Sequence, residues 1–336
     1  MQRRLAIEDK FWDDLAKGYG MRPVRSDEEC PNSRVSWRKT DLAAASEPDA
    51  ARRFRDRWNN LWSGYYGHFE DTTWIRPMRY TDEPPLDELQ PHNALQIFSV
   101  KISGLGPGFK WPLNVFGLVA IRDSVDRNRN IIFLRSRVES QTLTEKDPYL
   151  VLTGPSRVVV LSDPVTIEVN LKVKGPIGSE DRTLCFLAED ILCIVPSYST
   201  ATIFVRVING SWPDGFHGQI AACTASFPRD GDEKCSIDGF PSVDHKEIVL
   251  CSFGAGEEPV IGDGTFELSR RVVSAQQNGM LKVSTKAWQD EHNVVEVVNI
   301  FVPKEAGRSF ARLVIECCRM EVMVAWSLVS TFSELR

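Results

Sequence analysis

Residues 166–174 alternate Ile167, Val169, Leu171 and Val173 with Glu168, Asn170, Lys172 and Lys174, the two-residue period of a strand with one buried and one wet face. The same period, rich in β-branched residues, recurs over 95–102, 115–122, 131–135, 149–153 and 158–161. Gly, Pro, Asp and Asn punctuate these runs, a pattern that predicts an antiparallel sandwich or barrel rather than βαβ units. The second half repeats the plan. Val100-Lys101-Ile102 leads to Trp111-Pro112 and Gly117-Leu118-Val119-Ala120, and Val205-Arg206-Val207 leads to Trp212-Pro213 and Gly218-Gln219-Ile220-Ala221. Leu171-Lys172-Val173 has a later counterpart in Leu281-Lys282-Val283. A repeat of one domain length predicts two similar β units, over 92–196 and 197–336, with 319–326 as the closing strand of the second.

Residues 1–91 follow another pattern. Ala51, Phe54, Trp58, Leu61 and Trp62 recur at three- and four-residue spacing, predicting an amphipathic helix near 49–63 that Pro48-Asp49 would cap and Gly64 would stop. Arg52, Arg53, Arg55 and Arg57 fall on its other flanks. From Tyr65 to Pro91, four prolines predict an extended linker, acidic at Asp82, Glu83, Asp87 and Glu88. The expected class is therefore mainly β: two antiparallel sandwich-like units preceded by a short helical and extended segment.

The chain has 336 residues, 42% of them apolar and 26% charged, and a net charge of −6, which fits a globular protein and argues against a whole-chain nucleic-acid or anionic-membrane binder. No apolar run reaches membrane-spanning length, and the first ten residues lack a signal-peptide core, so the expected compartment is the cytoplasm or nucleus. Eight cysteines spread over a core-rich chain are expected to be reduced.

Candidate chemistry is sparse. His217, Cys223, Cys235, His245 and Cys251 form a loose series without the short clamps of zinc sites, so no metal is expected there. Asp123, Asp126, Asp147 and Asp163 lie near strand ends, as in some calcium-binding sandwiches, but Arg122, Arg127 and Arg129 offset the first two, and hydrated turns are the expectation. Phosphate-binding glycine loops and the nucleophile elbow are absent from the sequence. Glu305-Ala306-Gly307-Arg308 matches the Glu-Ala-x-Arg of ribosome-inactivating N-glycosidases, yet Pro303 precedes it, Gly307 interrupts it and β-type sequence flanks it, so a hairpin turn is expected.

Several strings carry a resemblance: Trp111-Pro112-Leu113-Asn114-Val115-Phe116-Gly117 with Arg122-Asp123, Leu152-Thr153-Gly154-Pro155-Ser156-Arg157, Asp163-Pro164-Val165, Ser211-Trp212-Pro213-Asp214-Gly215-Phe216, and Met320-Glu321-Val322 with Ala325-Trp326-Ser327. Over about residues 66–330 the chain resembles a grass-expanded plant domain of unknown function, found also as the C-terminal portion of cereal jasmonate-induced ribosome-inactivating proteins. The resemblance implies a stress or defence setting and places Glu-Ala-Gly-Arg in a noncatalytic domain; it supplies no catalytic residues. The expected function is a noncatalytic protein-interaction module, without cofactor, that regulates translation or a toxic partner. Binding of RNA or mRNA cap and a hydrolase with an unrecognised site are the alternatives. Interaction candidates are Phe54, Trp58, Trp62, Arg53 and Arg57; structural anchors are Trp111, Trp212 and Trp326. The expected partner is another protein, with nucleic acid less favoured.

Overall fold

The apolar alternation of the second half builds two sheets that close on one another. In the computed structural model, which describes residues 49–83, 92–191, 197–226, 247–257, 260–289 and 294–329, all described residues lie within one unit spanning Glu47–Arg336. Its strands are β1 (His92–Leu95), β2 (Leu113–Arg122), β3 (Asn130–Arg135), β4 (Gln141–Leu143), β5 (Val159–Val160), β6 (Val165–Val173), β7 (Arg182–Ile191), β8 (Ser197–Asn209), β9 (His217–Ser226), β10 (Ile248–Phe253), β11 (Val272–Gln276), β12 (Gly279–Trp288), β13 (Val294–Phe301), β14 (Gly307–Ile315) and β15 (Cys318–Ser327). Among the described residues two helices precede them, α1 (Asp49–Leu61) and α2 (Ser63–Tyr66). The fold is mainly β with antiparallel pairing throughout the named strands, as the periodicity predicts.

Two sheets share one strand order. The first runs β3-β2-β6-β7, with β4 also on β2, and the second runs β10-β9-β12-β13. The Trp-Pro pairs enter equivalent strands, since Trp111-Pro112 leads into β2 and Trp212-Pro213 leads towards β9. Both β3 and β10 carry a bulge beside their inner neighbour, at Ile132 and Leu250. The bulged carbonyls accept from matching places: Ile132 from the Thr153 and Gly154 N–H groups, Leu250 from those of Ser269 and Arg270. A third sheet, β14-β15-β8-β1-β5 with β11 on β8, packs on the second. The resulting core holds Ile203, Val205, Ile220, Leu250, Phe266, Val283, Val322 and Trp326. Its hydrophobic burial stabilises at roughly 25 cal/mol per Å² of apolar surface.

The first unit is less regular. Its core, around Val115, Ile121, Phe133, Leu143 and Leu171, is closed by segments 95–109 and 148–161. The expected strand over 95–102 is not formed: β1 ends at Leu95, and beyond it 95–102 and 149–153 share only an isolated bridge, Lys101 to Tyr149. β1 joins the units, pairing Ala94 with Val160 of β5 and His92 with Tyr198 of β8. Gly117 shows how tightly the first sheet is built: at φ +118° its hypothetical Cβ would lie 2.2 Å from the Asn170 carbonyl oxygen.

Three expectations are corrected, two in the N-terminal part and one on β6. α1 ends at Leu61, and the chain continues through Gly64 into α2 before turning at Gly67, where φ is +88°. Residues 65–83, expected as an extended linker, instead pack on the fold: Phe69, Ile75 and Thr81 are buried, and Thr72 bridges Arg129. Glu168 and Lys172 do not face water; they are only 1% and 7% exposed. The expected acidic linker positions Asp87 and Glu88 lie outside the described residues. Among the described residues, no helix is long and apolar enough to cross a membrane.

Candidate functional site

The interaction candidates on α1 divide between core and surface. Trp58 is 3% exposed; its indole N–H donates to the Gly67 carbonyl at 3.3 Å, and its ring meets Phe69 edge-on. It is a packing residue rather than an available anchor. Phe54 is half-buried against Phe69, and Trp62 is half-buried under the Arg127 guanidinium. Arg53 and Arg57 are exposed, Arg57 lying 3.9 Å from Asp190. Leu61, expected on the apolar face, is 51% exposed.

Beneath this aromatic cluster lies an ion network that the sequence pattern did not reveal. Arg122 stacks 4.3 Å from the Trp58 ring centroid, donates to the Phe69 carbonyl and reaches Glu168 through Nε at 3.0 Å. Arg129 meets the same carboxylate through its own Nε at 3.0 Å. Burial works to raise the Glu168 pKa, but Arg129 and Arg122 together outweigh it and hold the carboxyl below its ordinary value. Burial brings Arg122 down to about 10, so it stays cationic at neutral pH.

A second network corrects the expected hydrated turns. Asp123 and Asp126 are fully buried and accept from Arg157, at 2.6 Å and 3.1 Å respectively. Asp123 also accepts from the Val160 N–H, and Asp126 from the Thr73 hydroxyl at 2.6 Å. Burial pulls the Arg157 pKa down, yet the two aspartates more than compensate and raise it. These carboxylates are committed to a guanidinium, and among the described residues no cluster of His, Cys, Asp and Glu is placed to hold a metal.

The remaining candidates scatter. His217 stacks on Trp288, while Cys235 and His245 lie outside the described residues. Burial, with Glu267 nearby, pushes the Cys251 thiol up to about 11. Glu305 and Arg308 lie where β13 crosses to β14 in a different sheet, so this is a connection between sheets rather than the expected hairpin. Arg308 pairs with Asp82 at 2.9 Å, and the Gly307 N–H donates to the Thr81 carbonyl. The expected closing strand over 319–326 is β15, the last of the described strands, and it lies between β8 and β14. Cys317 and Cys318 meet a tight hairpin, with Cys317 exposed and Cys318 buried. Trp212 and Trp326 are buried, at 6% and 0% exposure, whereas Trp111 is only half-buried at the rim of the first core.

Two surface features stand apart from this packing. β13 is an edge strand of its sheet, paired only with β12 among the described residues. One face presents Val294, Val298 and Ile300, at 52%, 47% and 61% exposure, and Val302 continues the row just beyond the strand. Its one charged side chain, Glu296, meets Lys286 of β12. The second feature is a cleft of about 780 Å³ where β3 and β10, the edges of their two sheets, approach one another. Tyr149 and Val151 are each 44% exposed and lie on its wall.

The model of a Domain of unknown function (DUF6598) matches residues 94–199 and 192–324. The chain belongs to the DUF6598 family. No curated protein and no solved structure matches it. The two DUF6598 matches contain the two sheets of shared strand order, β3-β2-β6-β7 and β10-β9-β12-β13. In both copies the bulged edge strand borders the cleft. Sequence reasoning found the repeat but not this cleft, because its walls come from loops and strand ends widely separated along the chain.

Proposed function

We propose that this DUF6598 protein is a noncatalytic protein-interaction module that receives an apolar strand of a partner protein along β13. The observation carrying this reading is the row Val294, Val298 and Ile300 on an eight-residue edge strand. Soluble proteins usually blunt such edges with lysine, proline or a bulge, because unpaired N–H and C=O groups beside exposed aliphatics invite another strand. β13 contains neither lysine nor proline, and its eight pairs with β12 run without a register shift. Strand addition satisfies the open backbone edge while the aliphatic row supplies the apolar contact. The resemblance to a grass-expanded plant domain supports a stress or defence setting, in which the module regulates translation or a toxic partner from the cytoplasm or nucleus.

Cross-linking mass spectrometry with the full chain in plant lysate tests this. The expected result is a protein partner cross-linked to Lys282 or Lys304, which flank β13, retained at high salt and lost in Ile300→Lys with unchanged melting. Equal recovery by that variant, or recovery only of nuclease-sensitive ribosomal material, overturns the reading.

A further inference from the structure

β10 and β13 are opposite edges of one sheet, and the β10 side has a different chemistry. The cleft there is bordered by Leu134 and Arg135 at the end of β3 and by Val249, Cys251, Ser252 and Phe253 of β10. Among the described residues both are edge strands of their sheets, and only their bulged carbonyls, at Ile132 and Leu250, are taken up by the 153–154 and 269–270 N–H groups. The segment between them is extended: Leu150 and Leu152 turn into the core while Tyr149, Val151 and Thr153 turn outward. Its backbone is capped by Gln141, whose amide donates to the Tyr149 carbonyl and accepts from the Val151 N–H. The cleft volume of about 780 Å³ falls within the roughly 300–1,000 Å³ of ligand pockets.

Charge decides what this groove suits. Glu139, Asp147, Glu247, Glu257 and Glu267 line it against two guanidiniums, Arg135 and Arg270. Arg270 is turned inward at 4% exposure, donating to the Ile97, Phe98 and Val249 carbonyls, so it offers its charge to the wall rather than the opening. Glu247 is matched by Lys286 at 2.7 Å. The other four carboxylates are exposed and make no ion pair among the described residues. Glu257 accepts from the Gly254 N–H, which fixes its turn without neutralising it. An apolar strip with carboxylates around its rim, between two edge strands, complements an extended segment with alternating cationic and aliphatic side chains.

We propose that the cleft between β3 and β10 binds an extended, lysine- or arginine-bearing peptide segment of a partner protein. The cationic side chains meet Asp147 and Glu267, the aliphatic ones lie on Tyr149 and Val151, and the backbone aligns with the edge of β3 or β10 beyond the bulged carbonyls of Ile132 and Leu250, which the 153–154 and 269–270 segments occupy. This surface is independent of β13, so the two readings fail separately.

Fluorescence anisotropy with the full chain and three short labelled probes tests the proposal: an alternating Lys-Val peptide, its Glu-Val counterpart, and the Lys-Val peptide with alternate backbone amides N-methylated. Only the unmodified Lys-Val probe is expected to bind. Its affinity should fall about tenfold or more from low to high salt, as expected for exposed charges. Asp147→Lys with Glu267→Lys should abolish binding, Asp147→Asn with Glu267→Gln should weaken it at unchanged melting temperature, and Ile300→Lys should leave it intact. No binding of the Lys-Val probe, equal binding of the Glu-Val or N-methylated probe, or wild-type affinity in the charge-neutral variant overturns the proposal.

Discussion

Arg157 and Asp123 form an ion pair at 2.6 Å with neither side chain exposed to solvent. The second nitrogen of the same guanidinium reaches both Asp123 and Asp126, and its Nε donates to the Thr73 hydroxyl. One side chain thus ties the segment before β5, the turn after β2 and the N-terminal segment together. Removing one partner leaves an uncompensated charge away from water, which costs about 3–5 kcal/mol. Arg157→Met should lower unfolding free energy by that amount in urea denaturation. Thr73→Val, which loses a hydroxyl but strands no charge, should cost less, about 1–2 kcal/mol. Equal stability of Arg157→Met and the wild type would refute the assignment.

Trp58 and Leu61 sit three residues apart on α1, yet they should respond oppositely to truncation. Trp58 fills the space between Phe69 and Arg122, so Trp58→Ala should cost about 3–5 kcal/mol by cavity formation and loss of the ring contacts. Leu61 is half-exposed, and Leu61→Ala should stay within about 0.5 kcal/mol of wild type. Thermal unfolding of the two variants, monitored by circular dichroism, checks the contrast. A similar loss in both would mean that the helix is held by its whole apolar face.

The contrast also shows what was legible from sequence. Alternation located β2, β3 and β6 within a few residues, and the two Trp-Pro strings found the repeated plan, because sheet periodicity records which side chains face a core. Glu168 escapes the pattern for the same reason: period two assigns a polar residue to water, and nothing local to β6 signals that Arg122 and Arg129 meet it under Trp58 and Phe69. Asp123 escapes it because its guanidinium partner comes from Arg157, thirty-four positions away. The valine-rich run of β13 reads only as β-type sequence, and its place at a sheet edge is what exposes it.

Glu168 sets an acid limit on the folded state. Its folded pKa lies below the ordinary carboxylate value of 4.5, so its contribution is fully present above that pH and is lost as pH falls from there through the folded pKa. Glu168→Gln should be destabilised at neutral pH, since Arg122 and Arg129 keep their charge without a counter-ion. Its stability should then fall less steeply than that of the wild type below pH 4.5. Urea midpoints measured across this range give both slopes, and parallel curves would remove Glu168 from the acid response.

Trp111 and Trp212 precede equivalent strands in the repeat but should not be equivalent in energy. Trp212 is 6% exposed, lies edge-on to Phe253 at 5.0 Å and to Phe266 at 6.1 Å, and donates its indole N–H to the Phe216 carbonyl. Trp212→Ala therefore opens a cavity inside an aromatic cluster and should cost about 3–5 kcal/mol. Trp111 is half-buried and lines a separate pocket of about 650 Å³ with Lys101, Lys146 and Tyr149, so part of its ring already meets solvent. Trp111→Ala should cost only about 1–2 kcal/mol, from the fraction of apolar surface that it buries. Equilibrium unfolding of the two single variants and the double variant decides the matter. The losses should differ by about twofold or more and add in the double variant, because the two rings belong to separate cores. Equal losses would show that Trp111 is an anchor of the same kind as Trp212, with the repeat conserved in packing as well as in strand order.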